Sequence, residues 1–301
     1  MRLLITGVCG FVGSTIAHYL VDNRPAFEVV GLDNFLRSGS WINKDALCKK
    51  GVTVLYGDIR QASDLDGVGR VDWIIEAAAV PSVLGGVDGT LTPYQVLQHN
   101  LLGTINVADF ARCQGAGIVF LSSSRVYSIE ALRDVILEQE ASRYTLDTAA
   151  IASNGLSERG LAESFSTASP ISFYGASKLA SENILMEYAA AFELPVYINR
   201  CGVLAGAGQF AMAAQGIVPF WIHSWKAQRP LKYIGYNGKG WQVRDCLHPR
   251  DLAKLALVQI ESDPTGKRHV INVSGGQENS FSLRELSSWC LDRFGENIVE
   301  P

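Results

Sequence analysis

The chain has 301 residues, of which 48% are hydrophobic and 19% charged, and its formal net charge at pH 7 is −4. This balance is typical of a globular protein with ample core material and gives no reason to expect nucleic acid as a partner. No apolar run reaches the roughly 18 residues of a membrane span. We therefore expect no membrane partner. The six cysteines are scattered without a C-x-x-C pair, so we expect a cytoplasmic protein with free thiols and no metal site.

Short apolar runs alternate with amphipathic stretches over the first two-thirds of the chain. The stretches Ser14–Val21, Thr104–Cys113 and Tyr174–Phe192 predict helices. Strands that alternate with helices predict βαβ units and an α/β fold with a doubly wound parallel sheet. The first predicted strand begins so close to Met1 that we expect no signal peptide. The apolar runs predict strands at Arg2–Thr6, Glu28–Leu32, Val52–Tyr56, Trp73–Ala77, Ile118–Ser122 and Val196–Asn199.

A glycine-rich turn lies between the first predicted strand and the first predicted helix. Its glycines let the chain turn sharply and let backbone N–H groups approach a pyrophosphate at the helix N-terminus. A lone glycine triplet is weak support, but here the strand and the helix stand on the required sides. The turn therefore predicts a dinucleotide cofactor on a Rossmann-type sheet. Its sequence is Gly7-Val8-Cys9-Gly10-Phe11-Val12-Gly13.

An acid follows at the end of the second strand, because Asp33 lies 20 residues beyond Gly13. A carboxylate there accepts hydrogen bonds from both ribose hydroxyls of NAD and repels the 2′-phosphate of NADP. Arg37 would accommodate that phosphate, so NADP stays an alternative. The position of the acid favours NAD.

The next two strand ends each allow two interpretations. In Gly57-Asp58-Ile59 the carboxylate would accept from an adenine amino group or would cap a helix. The small residues of Ala77-Ala78-Ala79 would let a cofactor lie across the sheet edge or would serve tight packing.

The composition changes after Arg200, where Gly, Gln and aromatic residues dominate through Trp241. We predict a cofactor-binding domain over residues 1–199, which includes the helix of Tyr174. Residues 200–301 predict mainly a smaller, less regular substrate-binding region, with a segment at about 245–275 returning to the first domain.

Tyr174 and Lys178 stand four residues apart on a predicted helix, so both side chains lie on one face. The positive charge of an ammonium group favours phenolate, which would keep a proton acceptor available near neutral pH. The same pair would otherwise be a surface i,i+4 contact worth a few tenths of a kcal/mol. The cofactor motifs favour the chemical role.

Together these motifs resemble the extended short-chain dehydrogenase/reductase family, in its nucleotide-sugar epimerase/dehydratase group. The resemblance also rests on Asn100-Leu101-Leu102-Gly103-Thr104 and on Ser122-Ser123-Ser124-Arg125-Val126-Tyr127, and it covers essentially the whole chain. It implies an NAD-dependent enzyme that forms a homo-oligomer, a dimer or tetramer. One departure is Ala205-Gly206, where the family has Tyr-Gly.

A narrower resemblance is to the CDP-paratose 2-epimerases. It rests on Asn154-Gly155-Leu156-Ser157-Glu158, on Gly208-Gln209-Phe210, on Gln215-Gly216 and on Gln242-Val243-Arg244-Asp245. Related sugar epimerases share much of the Arg244 segment. The resemblance implies epimerisation at C2 of a CDP-3,6-dideoxyhexose by transient oxidation, with NAD tightly bound throughout.

The resemblance assigns roles to individual residues. Tyr174 is the base and then the acid, Lys178 lowers the phenol pKa and holds the nicotinamide ribose, and Ser123 binds the reacting oxygen. The implied cofactor residues are Gly7, Gly10, Phe11, Val12, Gly13, Asp33, Asn34, Arg37, Ser38, Asp58, Ile59, Ala77, Ala78, Ala79, Asn100, Ser122, Tyr174 and Lys178. The implied substrate residues are Ser123, Ser124, Asn154, Gln209, Phe210, Gln215 and Arg244, whose guanidinium suits a diphosphate.

The sugar 4,6-dehydratases of this family carry Asp-Glu directly after their catalytic Thr. Ser124 and Arg125 stand there in this chain, so epimerisation is favoured over dehydration. Three alternatives remain open. They are a UDP-sugar 4-epimerase, an NAD(P)-dependent nucleotide-sugar reductase or dehydrogenase, and a non-enzymatic NAD(P)-sensing regulator on a Rossmann scaffold.

Overall fold

A computed structural model describes residues 1–147, 155–210, 216–262 and 268–301. Each of the two compact units of the chain is built from three segments. The first unit contains Met1–Val126, Ile171–Cys201 and Pro249–Val273, and the second contains Tyr127–Pro170, Gly202–His248 and Ser274–Pro301.

The described strands are numbered in chain order. They are β1 (Arg2–Thr6), β2 (Glu28–Asp33), β3 (Thr53–Tyr56), β4 (Trp73–Glu76), β5 (Gly117–Ser123), β6 (Leu137–Gln139), β7 (Tyr144–Leu146), β8 (Leu156–Ser157), β9 (Gly160–Leu161), β10 (Val196–Cys201), β11 (Val203–Leu204), β12 (Leu231–Lys232), β13 (Val243–Leu247), β14 (Arg268–Val273), β15 (Ser280–Ser282) and β16 (Val299–Glu300).

The described α-helices are numbered in the same way, and a π-helical turn over Gln98–Leu102 joins the fourth to the fifth. They are α1 (Phe11–Asn23), α2 (Trp41–Lys49), α3 (Ala62–Asp66), α4 (Pro93–Leu97), α5 (Gly103–Gln114), α6 (Ile129–Arg133), α7 (Phe173–Phe192), α8 (Ile217–Lys226), α9 (Pro249–Glu261) and α10 (Leu283–Phe294).

The central sheet of the first unit has seven strands within the described residues, all parallel, in the order β14-β10-β5-β4-β1-β2-β3. This confirms the predicted α/β fold with a doubly wound parallel sheet. The strand order reverses direction at β1, which lies beside both β2 and β4. Ligands of open α/β sheets bind outside the carboxyl ends of the strands at such a switch point, and the glycine turn follows β1 there.

Helices flank this sheet, so its inner strands are buried and consist of nearly continuous apolar runs. Helix α5 packs against α7, and α1 packs against α9. The three predicted helices correspond to α1, α5 and α7 with small differences at their ends. The apolar runs do not predict strand β14, because it begins with the polar residues Arg268 and His269 and Asn272 interrupts its apolar pattern.

The second unit is built from short strands and an aromatic core. Strands β11, β13 and β15 form one sheet, and β6–β7, β8–β9 and β12–β16 form pairs. The rings of Trp221 and Tyr233 stack with centroids 5.4 Å apart. The indole N–H of Trp221 and the hydroxyl of Tyr233 both donate to Ser287 Oγ, at 3.0 and 2.8 Å.

The predicted domain boundary differs from the division in the structure. The sequence predicts residues 127–170 in the first domain, whereas the structure has them in the second unit. The reason is long-range pairing, since Arg143 in this segment forms an ion pair with Glu285 of α10 at 2.5 Å. Residues Pro249–Val273 belong to the first unit. Among the described helices, none is both long and apolar enough to cross a membrane.

Candidate active site

The turn after β1 brings backbone close to backbone. Gly7 has φ +66°, its N–H donates to Leu32 O at 2.8 Å, and a Cβ on it would lie 2.8 Å from Ala78 Cα. A Cβ on Gly13 would lie 2.2 Å from Gly7 O, so α1 packs directly onto the turn. Only glycine permits these two contacts.

The first turn of α1 has N–H groups without a side-chain cap, because Gly10 precedes it. Such groups attract an anion when a ligand brings one. Phe11 and Val12 are the first helical residues and are half-buried. The predicted phosphate-binding residues therefore lie together at the switch point of the sheet.

Asp33 is fixed at the end of β2 by two backbone donors. Its Oδ2 accepts from the N–H of Cys9, and its Oδ1 accepts from the N–H of Phe35, each at 2.8 Å. Burial raises the pKa of the Asp33 carboxyl, and the two backbone hydrogen bonds oppose that rise. Each oxygen keeps a lone pair for a second donor, as two ribose hydroxyls would require.

In the same loop Arg37 is half-buried, and burial lowers its pKa. Ser38 is exposed.

Asp58 is engaged by its own neighbours. Each carboxylate oxygen accepts two hydrogen bonds, three in total from Arg60 and one from Asn34. Burial raises the pKa of Asp58, but hydrogen bonds from Arg60 and Asn34 outweigh it and lower the pKa to about 2. An adenine amino group would therefore have to displace one of these donors. Asp58 thus holds Arg60 of its own loop and Asn34 after β2, and it does not cap α3, which begins after Gln61 without a side-chain cap.

Asn100 connects the end of β4 to the helix of Tyr174. Its Oδ1 accepts from Val80 N–H at 2.8 Å, and its Nδ2 donates to Ser177 Oγ of α7 at 3.1 Å. The chain from Ala77 to Ala79 is half-buried beside the glycine turn. Ile59 packs against α5, since a Cβ on Gly103 would lie 2.5 Å from its Cδ1.

Ser123, Tyr174 and Lys178 meet at the carboxyl end of β5. Ser123 is the last residue of β5 and is hydrogen-bonded to the phenol of Tyr174, near the start of α7. Lys178 follows one turn later and is 1% exposed. Its Nζ lies 4.3 Å from the centroid of the Phe120 ring. The structure therefore brings the three predicted catalytic residues together.

Burial dominates the protonation of this group. It raises the pKa of Tyr174 to about 12, although the hydrogen bond from Ser123 and the charge of Arg125 lower it. Burial also lowers the pKa of Lys178. The lowering of the Tyr174 pKa by Lys178 stays a prediction.

The two neighbouring serines have different surroundings. Ser122 Oγ donates to Glu182 Oε1 at 2.5 Å, which engages its hydroxyl in a structural contact. Ser124 opens the 3-10 turn Ser124–Val126 and is half-buried. Ser123 is therefore the serine that the structure places against Tyr174.

A close contact sets the start of α7. The side chain of Ser172 caps the helix by accepting from Gly175 N–H at 3.0 Å. A Cβ on Gly175 would lie 2.1 Å from Arg125 O. Helix α7 therefore approaches the turn after Ser123 as closely as a backbone allows, which holds Tyr174 against Ser123.

Three buried ionisable side chains near the site were not predicted. Glu182 of α7 and Arg200 of β10 form an ion pair at 2.7 Å with side chains 3% and 9% exposed. Glu76, the last residue of β4, is fully buried. A single acid that ends the apolar run Trp73-Ile74-Ile75 was a signal that pattern analysis could have used.

The predicted substrate residues are divided between the units. Ser123 and Ser124 belong to the first unit, whereas Gln209, Phe210 and Arg244 belong to the second, and Asn154 and Gln215 lie outside the described residues. Gln209 Nε2 donates to Leu204 O at 3.2 Å, and its Oε1 is buried without a partner among the described residues. Phe210 is half-buried. Arg244 lies on β13, where its Nη1 donates to Val243 O at 2.6 Å. No group of three potential metal ligands occurs in the described part of the chain.

Comparison with known proteins gives consistent matches. The model of the NAD dependent epimerase/dehydratase family matches residues 3–274. The CDP-paratose 2-epimerase of Salmonella typhi is 28% identical over 95% of this chain and 82% of its own. The dTDP-glucose 4,6-dehydratase of Streptomyces antibioticus is also 28% identical, over 100% of this chain and 80% of its own.

The solved structures include a UDP-glucose 4-epimerase from Thermus thermophilus in complex with NAD. It is 26% identical, with a TM-score of 0.75, over 100% of this chain and 86% of its own. These matches confirm the predicted family resemblance and the prediction of an enzyme of this family.

Proposed function

Because the chain belongs to the NAD dependent epimerase/dehydratase family, we propose that it is a nucleotide-sugar epimerase that oxidises a carbinol carbon transiently and then reduces it on the other face. The hydrogen bond between Ser123 and Tyr174, with no carboxylic acid at positions 124 and 125, supports this proposal. A dehydratase needs an acid and a base there to expel water.

The residues of the first unit fit NAD. The backbone approach at Gly7 leaves no room for a side chain, and the first turn of α1 has no side-chain cap. Asp33 has two oxygens, each held by one backbone donor. Gly7, Gly10 and Gly13 would hold the pyrophosphate, Asp33 the adenosine ribose, and Lys178 the nicotinamide ribose. Bound NAD would supply the hydride acceptor and, once reduced, the hydride donor.

Tyr174 would take the proton of the reacting hydroxyl and later return it. Its pKa of about 12 means that the phenol is protonated at neutral pH. The nearby positive charges of a bound oxidised cofactor and of Lys178 would favour phenolate when the complex forms. Ser123 would donate a hydrogen bond to the same oxygen. Proton transfer by a positioned side chain such as that of Tyr174 typically increases the rate by about 10²–10⁴-fold.

For the substrate, we propose a CDP-3,6-dideoxyhexose that is epimerised at C2. The motif Gln242-Val243-Arg244-Asp245 supports this assignment, together with the similarity to the Salmonella typhi enzyme. Arg244 would contact the diphosphate, and Gln209 and Phe210 would contact the sugar or the base. A UDP-sugar 4-epimerase is the second candidate, supported by the similarity to the Thermus thermophilus enzyme.

One experiment tests both the reaction and the substrate. The protein is incubated with CDP-, UDP-, GDP- and dTDP-sugars, and NMR follows epimer formation at each carbon. We expect conversion of a CDP-sugar at C2 and none in the Tyr174→Phe variant, which should still bind NAD. Turnover of a UDP-sugar alone would overturn the CDP assignment, and full activity of Tyr174→Phe would overturn the mechanism.

We also propose that NAD stays bound through turnover, since the cofactor of an epimerase ends each cycle unchanged. Purified protein should release about one NAD per chain on denaturation and convert substrate without added cofactor. Stoichiometric release of NADH into solution during turnover would instead indicate a net dehydrogenase.

A further inference from the structure

A buried carboxyl group that the proposed mechanism does not use lies beneath Lys178. Glu76 at the end of β4 is in register with Phe120 on β5. Register partners in parallel strands point to the same face of a sheet. Because Lys178 Nζ lies 4.3 Å from the Phe120 ring centroid, Glu76 and Lys178 lie on one face of the sheet, where α5 and α7 cover it.

Two contacts of the Thr104 hydroxyl bear on the protonation of Glu76. Thr104 Oγ1 is 2.5 Å from Glu76 Oε1 and 2.7 Å from Asn100 O. A hydroxyl has one proton, and a carbonyl oxygen only accepts. If Thr104 donates to Asn100 O, the proton between Thr104 and Glu76 must come from the carboxyl group. A protonated Glu76 therefore satisfies both short contacts, whereas a carboxylate leaves one without a proton.

The second carboxyl oxygen supports the same state. Glu76 Oε2 is buried and has no hydrogen-bond partner among the described residues. A charged oxygen in that position would lack any donor to replace water, which is far more costly than a neutral carbonyl oxygen. Burial raises the pKa of Glu76 to about 7, even though the charge of Lys178 and the hydrogen bond with Thr104 both oppose the rise.

We propose that Glu76 is a positioning residue that stays a neutral carboxylic acid in the active protein and so leaves the positive charge of Lys178 uncompensated on the sheet side. The proposal rests on the role given to Lys178 above. An ionised Glu76 would attract the ammonium group toward the sheet and cancel its charge at Tyr174 and at the bound ribose, since charges interact strongly in a buried site. Activity would then fall as Glu76 loses its proton.

The other titratable groups around Lys178 do not offer the same switch. Burial raises the pKa of the Cys201 thiol to about 12, so it stays neutral. Glu182 is already paired with Arg200. The residues that face Glu76 from β1, β5 and α5 are Thr6, Phe120 and Thr104, which are not ionised. Among the described residues around Lys178, Glu76 is thus the group whose ionisation would add a negative charge on the sheet side of Lys178.

Infrared difference spectroscopy tests the protonation state without any substrate. The wild-type protein about one pH unit below the ionisation of Glu76 should show the C=O stretch of a protonated carboxylic acid, which Glu76→Gln should lack. Thr104→Val provides a second assignment, because it removes the acceptor of the acid proton and should shift the same band. The absence of any such band in the wild-type protein would overturn the proposal, whether or not the proposed epimerase activity is found.

The pH dependence of kcat/KM on the active substrate tests the role. We expect the wild-type value to fall roughly tenfold per pH unit above the ionisation of Glu76. Glu76→Gln, whose amide donates to Thr104 but does not ionise, should remain active and lose this alkaline decline, whereas Glu76→Leu should lose activity. The exposed Glu187→Gln on α7 is the matched control and should keep the wild-type profile. An unchanged alkaline decline in Glu76→Gln would overturn the proposed role.

Discussion

Burial controls the charges of individual residues around Tyr174. Tyr174 and Cys201 have pKa values raised to about 12, and the pKa of Lys178 is lowered, in each case chiefly by burial. The buried charges of Glu182 and Arg200 are retained as an ion pair. Burial therefore keeps the Tyr174 phenol and the Cys201 thiol protonated at neutral pH.

The raised pKa of Glu76 makes stability depend on pH. The carboxyl loses its proton near pH 4.5 in the unfolded chain and near pH 7 in the folded protein. Folding must therefore take up a proton between these values, and stability falls as pH rises through that window. We expect Glu76→Gln to gain about 3 kcal/mol relative to wild type between about pH 4 and pH 8. Urea unfolding across this range measures it, and a constant difference would contradict the assigned protonation.

The Glu182–Arg200 pair predicts a large cost for removing one partner. Arg200→Met leaves Glu182 as an unpaired buried charge, so it should lower the free energy of unfolding by about 3–5 kcal/mol. The double variant Glu182→Leu with Arg200→Met should recover most of that loss, because neither charge remains. Arg24→Met, at the exposed pair with Glu261, is the control and should cost less than about 1 kcal/mol. Equal losses at both sites in urea unfolding would show that burial of the pair is unimportant.

At the scale of elements, the site depends on how closely helices approach strands. Helix α1 contacts the glycine turn through Gly13, and α7 contacts the turn after β5 through Gly175. The sequence predicted both helices from periodicity, and the glycine turn from its motif. Gly175 carried no such signal, because the atom that a side chain would strike belongs to Arg125, fifty positions earlier in the chain.

Gly175→Ala should separate Tyr174 from Ser123. The added Cβ would lie 2.1 Å from Arg125 O, so the start of α7 must move. A displacement of about 1 Å in a reacting group can cost roughly 100-fold in rate, and we expect kcat to fall on that scale while the protein stays folded by circular dichroism. Gly67→Ala, where a Cβ meets nothing within 4 Å, is the control and should keep kcat. A Gly175→Ala variant with wild-type kcat would contradict the role of this contact.

At the scale of the whole molecule, neither unit is continuous in sequence. Strand β14 lies beside β10, and α9 packs against α1, although residues 202–248 of the second unit intervene. A fragment of residues 1–201 should therefore fail to unfold cooperatively, because β10 loses its neighbour and α1 loses its covering helix. A fragment of residues 1–273 keeps every segment of the first unit and should retain a cooperative transition. Circular dichroism during urea unfolding distinguishes the two, and equal cooperativity would show that β14 and α9 are dispensable.

The sequence by itself determined the parallel α/β fold, the glycine turn, Asp33 and the Ser123, Tyr174 and Lys178 group, because these features depend on local periodicity and on short motifs. The tertiary structure alone decided what surrounds them. In the tertiary structure the oxygens of Asp58 accept hydrogen bonds from Arg60 and Asn34, and residues 127–170 belong to the second unit. Glu76 is buried on the same face of the sheet as Lys178. These outcomes depend on hydrogen bonds, strand register and burial between segments far apart in the chain, and no local pattern of residue types contains that information.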